Sequence, residues 1–144
     1  MNDLWQEINK HIQNIPAILS DSRNIAVVGI SNKPYRDSYS VTQVLMDYGY
    51  HIFPVNPNYD EVLGMKCYDS LKEIQEPIDI VDIFRRPDQV MPVVEEAIEI
   101  GAKVVWMQLG AENEEAARKA LDAGLQVVMH RCIKVEVLRH GSFS

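Results

Sequence analysis

The sequence predicts an open α/β domain, a five-stranded all-parallel sheet wound with helices on both faces. Three observations carry this expectation. Short apolar runs recur at residues 25–30, 51–55, 78–84, 103–108 and 125–129. The first of them lacks the polar alternation of a half-exposed strand, which suits a central parallel strand buried on both faces. Between the runs lie segments with apolar residues at helical spacing, several closing on a glycine (Gly49, Gly101, Gly124). With right-handed crossovers this alternation gives a doubly wound, Rossmann-like sheet. The expected strand order is 3-2-1-4-5, with the flavodoxin-like 2-1-3-4-5 as the alternative.

Taken in order, residues 3–15 read as an opening helix on which Leu4, Ile8, Ile12 and Ile15 share a face and Asp3 caps. The first strand, residues 25–30, leads into a polar loop. Ser40 and Gln43 resemble a capping box for a helix with Val41, Val44, Leu45 and Tyr48 on one face. After the second strand, residues 56–69 read as irregular, with a short helix near residues 70–75. The third strand is followed by Pro87 and Asp88, which open a helix carrying Pro92 near its first turn. Trp106 in the fourth strand is expected in the core. Asn113 caps the next helix, and Glu114 and Glu115 sit in its favourable first turn. A short tail helix is expected over residues 135–140.

The 144 residues fit one domain, residues 1–144, with the first 20 forming a helix packed on it. The net charge of −7 disfavours binding to a phosphate backbone. No apolar stretch reaches membrane-spanning length, and the N-terminus lacks a basic-then-apolar signal pattern. The two cysteines, Cys67 and Cys132, have no metal-site or disulfide-framework spacing. A cytoplasmic protein is expected, with neither nucleic-acid nor membrane partners.

In a doubly wound sheet the ligand lies at the carboxyl ends of the strands. A dinucleotide fingerprint after the first strand would place glycines at 29, 31 and 34, where this chain has Gly29, Ser31 and Pro34. The backbone N–H groups of Ser31, Asn32 and Lys33 are expected to cradle phosphate, helped by the following helix N-terminus. After the second strand stands Asn56, where an NAD-binding domain usually carries an acid for the ribose diol. After the third come Arg85 and Arg86, suited to bidentate phosphate binding. Gln108 and Gly110 follow the fourth strand, and His130, Arg131 and Cys132 the fifth. The set describes a pocket for a ligand with several phosphates.

The segments 26–31, 50–57, 79–87, 106–110, 123–124 and 131–133, together with Gly64, carry a resemblance. Residues 20–136 resemble the stand-alone CoA-binding proteins, whose domain is similar to the N-terminal CoA-binding domain of the succinyl-CoA synthetase α-subunit. The resemblance implies coenzyme A across the strand ends. It places phosphate contacts on Ser31, Lys33, Arg36 and Ser38. Val55, Asn56 and Pro57 fall along the ribose and adenine side, and Phe84, Arg85 and Arg86 line the same half. With Gly29, Asn32 and Gln108 these are the candidate cofactor-binding residues. The chain departs from the synthetases in having fewer glycines at residues 29–38 and in stopping before their phosphohistidine domain.

No catalytic set emerges from the sequence. His11, His51, His130 and His140 lie on different elements, and Asp79 and Asp82 face apart along one strand. A non-catalytic module that binds, senses or carries CoA or an acyl-CoA is the expected function. The alternatives are an acyl-CoA-using enzyme involving Cys132 or His130, and an NADP-binding redox sensor using Arg85 and Arg86. No acyl group, protein partner or oligomeric state is predicted.

Overall fold

Residues 3–141 are described by the computed structural model. Five strands form the parallel sheet: β1 (Asn24–Val28), β2 (His51–Val55), β5 (Ile80–Ile83), β6 (Val104–Met107) and β7 (Gln126–Met129). A two-stranded hairpin, β3 (Glu61–Val62) and β4 (Met65–Lys66), lies within residues 56–69, which the sequence reads as irregular. The helices are α1 (Leu4–Gln13), α2 (Ile15–Asp21), α3 (Asp37–Asp47), α4 (Val90–Glu99), α5 (Glu114–Asp122) and α6 (Ile133–His140).

The α/β class and the five parallel strands are as expected. The neighbours run β2-β1-β5-β6-β7, so among the sheet strands alone the order is 2-1-3-4-5 rather than 3-2-1-4-5. The outer edge of β2 explains the correction. Tyr68, just after β4, donates its N–H to Pro54 O at 2.8 Å and accepts from Asn56 N–H at 2.9 Å. The returning chain thus occupies the edge that a third strand would need, and β5 pairs with the other side of β1. Pro54, with no N–H to donate, suits an edge strand better than a central one.

Both faces of the sheet are buried, as the unalternated first run predicts for β1. Ala26, Val28, Val81, Ile83, Val105 and Met107 pack against α1, α4 and α5. Ile25, Val27, Ile80, Trp106 and Val128 pack against α2, α3 and α6. Trp106 is fully buried, and its indole N–H donates to Arg131 O at 2.9 Å. Asn113 caps α5 by accepting the Ala116 N–H at 2.9 Å.

Local boundaries differ in three places. The opening helix breaks at Asn14 into α1 and α2, because Pro16 cannot continue an N–H ladder. Asp3 makes no side-chain cap bond. Helix α3 starts at Asp37, one turn before the capping box, and the Ser40 hydroxyl donates inward to Asp37 O.

The two strand aspartates do face apart. Asp79 sits at the amino end of the sheet and accepts the Arg23 and Asn24 N–H groups at 2.8 and 2.9 Å. Burial works against its charge, but those bonds and Lys103 at 3.4 Å outweigh it and hold the carboxyl below its ordinary range. Asp82 is fully buried in the middle of β5 with neither carboxyl oxygen hydrogen-bonded.

The free edge of β7 is covered by α1. His11 Nδ1 accepts the Val127 N–H at 3.0 Å, and Asn14 Nδ2 donates to Gln126 Oε1 at 3.1 Å. This satisfies an edge donor that would otherwise invite another strand. Burial lowers the His11 pKa from 6.5, with Glu7 opposing, and only the neutral ring can accept this bond. The unfolded chain therefore takes up the proton first as pH falls. Stability contributed by His11 is complete above about pH 6.5 and is lost as pH drops toward the lowered folded value. His11→Ala is expected to flatten this acid limb in urea melts between pH 7 and 5. An unchanged pH profile would show that His11 does not control it.

Candidate functional site

The carboxyl ends of β1, β2 and β5 surround the point where the chain's winding direction reverses. A cleft of about 610 Å³ opens there, and its lining includes Ser31, Lys33, Tyr35, Arg36, Ser38, Asn56 and Phe84. Its floor is Gly29, whose φ of +86° is a left-handed conformation that favours glycine. A Cβ at Gly29 would lie 2.0 Å from Phe84 O, so the β1 and β5 ends approach as closely as they do only because position 29 has no side chain.

Within the loop many polar groups are already engaged. Ser31 N–H donates to the buried Ser38 Oγ at 2.9 Å, and Lys33 N–H donates to Ser31 Oγ at 3.1 Å. Two of the three N–H groups expected to cradle phosphate are thus turned inward, because the two serine hydroxyls are the nearest acceptors. Asn32 is exposed in the same loop. Asn56 Nδ2 donates to Ile30 O and Asn56 Oδ1 accepts the Asn58 N–H, both at 2.9 Å. The amide therefore ties the β2 end to the β1 loop.

What remains available to a ligand is cationic. Lys33 and Arg36 line the cleft from its exposed rim, and Arg36 lies 5.8 Å over the Tyr35 ring. Tyr35 is 74% exposed. The N-terminus of α3 adds a favourable partial positive charge beside them, with Asp37 as a local counterweight.

A second cleft, about 330 Å³, lies on the other side of Gly29 and is lined in part by Val28, Val55, Pro57, Arg85, Gln89 and Val93. Arg85 Nη2 donates to Gln89 Oε1 at 2.6 Å, whereas Arg85 Nε is buried with no partner. Arg86 is not among the lining residues; it lies 3.8 Å from Asp88, which is, and both are largely exposed. Val55 and Pro57 thus join Arg85 rather than Lys33, and the candidates divide between neighbouring clefts, with Asn32 and Arg86 lining neither. Gln108 lies in a third, with Phe84 and Cys132. Sequence reasoning missed Tyr35 and Tyr59 in the first cleft and Gln89 and Val93 in the second. Exposed aromatic residues beside a polar loop are the one signal that could have marked Tyr35.

His130 and Cys132 do not share a site. His130, at φ +62°, stacks on Trp5 at 5.4 Å and has Nδ1 3.5 Å from Glu112 Oε2. Cys132 Sγ faces Gln108 Nε2 at 3.7 Å. Cys67 is buried beneath Asn56, and burial pushes its thiol pKa up. Among the described residues no cluster of His, Cys, Asp and Glu could hold a metal, and no helix is long and apolar enough to cross a membrane.

The fold is an open parallel α/β sheet with a basic cleft at its reversal point. Residues 23–137 match the CoA binding domain family, and the chain belongs to it. It is 50% identical over 121 residues to the Bacillus subtilis protein YneT, covering 84% of this chain and 90% of that one. A solved structure of a hypothetical protein from Pyrococcus horikoshii OT3 superposes with a TM-score of 0.86 at 47% identity, covering 88% of this chain and 89% of that one. The α-subunit of the ADP-forming acetate–CoA ligase II of Pyrococcus furiosus is 31% identical over 124 residues. That alignment covers 78% of this chain but 27% of the subunit.

Proposed function

We propose that this protein binds coenzyme A across the ends of β1, β2 and β5 and acts as a binding or carrier module rather than a catalyst. The observation that carries the reading is the exposed Lys33–Arg36 pair over the reversal-point cleft of a CoA-binding-family domain. In this reading Lys33, Arg36 and the start of α3 hold the pyrophosphate, displacing water rather than an internal partner. Among the described residues neither cation is held in an ion pair, so each is free to turn toward the ligand. The nucleoside occupies the second cleft against Val55 and Pro57. Arg85, with its unpartnered Nε, takes the 3′-phosphate. Asn56, whose amide is spent within the protein, shapes the turn between the two halves.

The test is calorimetric titration with CoA, dephospho-CoA, NAD and NADP. CoA is expected to bind best and to lose roughly tenfold or more without its 3′-phosphate, the scale of one charged hydrogen bond. Lys33→Ala with Arg36→Ala is expected to weaken CoA roughly 100-fold, and Arg85→Ala to abolish the preference over dephospho-CoA. Tighter binding of NADP than CoA would overturn the reading.

A further inference from the structure

We infer that the cleft at the end of β6 receives the acyl group of an aliphatic acyl-CoA, so that the protein distinguishes thioesters from free CoA; this rests on the CoA reading above. The cleft measures about 300 Å³ and shares Asp37 and Phe84 with the basic cleft. A linear ligand anchored by its phosphates at Lys33 and Arg36 can therefore pass Phe84 and enter it without leaving the surface.

The chemistry of the walls changes along that path. Beside Asp37, Ser40 and Lys134, this cleft carries the apolar side chains of Val41, Phe84, Leu109 and Val135, of which only Phe84 also lines the first. Leu109 is 63% exposed and Val135 45% exposed, apolar area that an aliphatic group would remove from water. A free thiol would leave both wet. The volume, at the low end for ligand pockets, suits an extended aliphatic chain better than a bulky group.

Gln108 supplies the polar recognition. It is 4% exposed and lines the same cleft. Its Oε1 accepts the Ile133 N–H at 3.0 Å, which fixes the orientation of the amide. Its Nε2 carries two N–H groups, yet its bond is to the Cys132 sulphur at 3.7 Å, a weak acceptor. A thioester carbonyl entering past Phe84 would give this buried donor a better partner; in free CoA the nearest carbonyl, an amide of the pantetheine arm, stops four bonds short of the sulphur and reaches less deep.

The experiment is calorimetric titration of the full chain with CoA, acetyl-CoA, butyryl-CoA and decanoyl-CoA, repeated with Val135→Trp. Val135 is exposed on α6, so the larger side chain fills the cleft without entering the core. Affinity is expected to rise from CoA through butyryl-CoA to decanoyl-CoA, by up to about fourfold for each methylene buried. In Val135→Trp the series is expected to be flat, with acyl-CoAs binding no better than CoA does to the same variant. Equal affinity for CoA and butyryl-CoA in the unmodified protein would overturn the inference and leave the CoA reading standing. A gain that survives Val135→Trp would overturn it in the same way. If neither CoA nor any thioester binds, the CoA reading fails and the inference fails with it.

Discussion

Gly29→Ala is expected to destabilise the protein by about 3 kcal/mol, combining the cost of a left-handed alanine with overpacking against backbone. The added methyl would sit 2.0 Å from Phe84 O and 2.9 Å from Arg85 Cδ. The arginine side chain can swing away, but the carbonyl cannot. Phe84 N–H is bonded to Val28 O at 2.8 Å, and Gly29 N–H to Val55 O at 2.9 Å, so the backbone is held on both sides of the collision. Relief requires parting β1 from β5 at the floor of both clefts, so ligand affinity falls together with stability. Gly64→Ala is the matched control. Gly64 has φ +77° but nothing within 4 Å of its would-be Cβ, so only the backbone cost of about 1 kcal/mol applies. Thermal melts of the two variants are the measurement. A gap of several degrees is expected, at roughly 2–4 °C per kcal/mol for a chain of this size. Equal melting temperatures would show that the close approach of β1 and β5 contributes nothing.

Asp82→Val is expected to stabilise the protein by about 1–2 kcal/mol at neutral pH, because a buried polar group without a partner is replaced by an apolar one of similar shape. Asp82 pairs in register with Val27 and Trp106, and both of its carboxyl oxygens lie buried without hydrogen bonds. Burial raises its pKa well above the carboxylate range. The folded protein then holds a proton that the unfolded chain releases above about pH 4. The folded state binds more protons throughout that window, so stability falls as pH rises, by at most about 1.4 kcal/mol per pH unit. Asp82→Asn removes the titration without removing the polar burden. It is expected to flatten the neutral-to-alkaline limb without the gain shown by valine. Chemical denaturation of the three proteins between pH 7 and 9, above the range where His11 titrates, separates these effects. A wild-type profile that does not decline over that range would sink the account.

Much of this architecture is legible in the sequence. Val27 lies in a run with no polar alternation, and a strand of that kind must be covered on both faces. Parallel strands joined by helices put the loops of one end together, which located Lys33, Arg36, Phe84 and Arg85 at one edge of the sheet. Trp106 in the core and Asn113 as a cap follow from local chemistry alone.

The tertiary structure decided what depends on groups far apart in the chain. Strand order turned on whether the outer edge of β2 was open, and Tyr68, fourteen residues beyond Pro54, closes it. Pro54 was a local hint of an edge strand, but a missing N–H does not say which segment lies beside it. The division of the candidates followed from that order, with Arg85 and Val55 on one side of Gly29 and Lys33 and Arg36 on the other. Ser31, Ser38 and Asn56 have the composition of ligand contacts, yet they bond to one another's loops. Residue type sets which bonds a side chain can make; only its neighbours in space set which of them are already made.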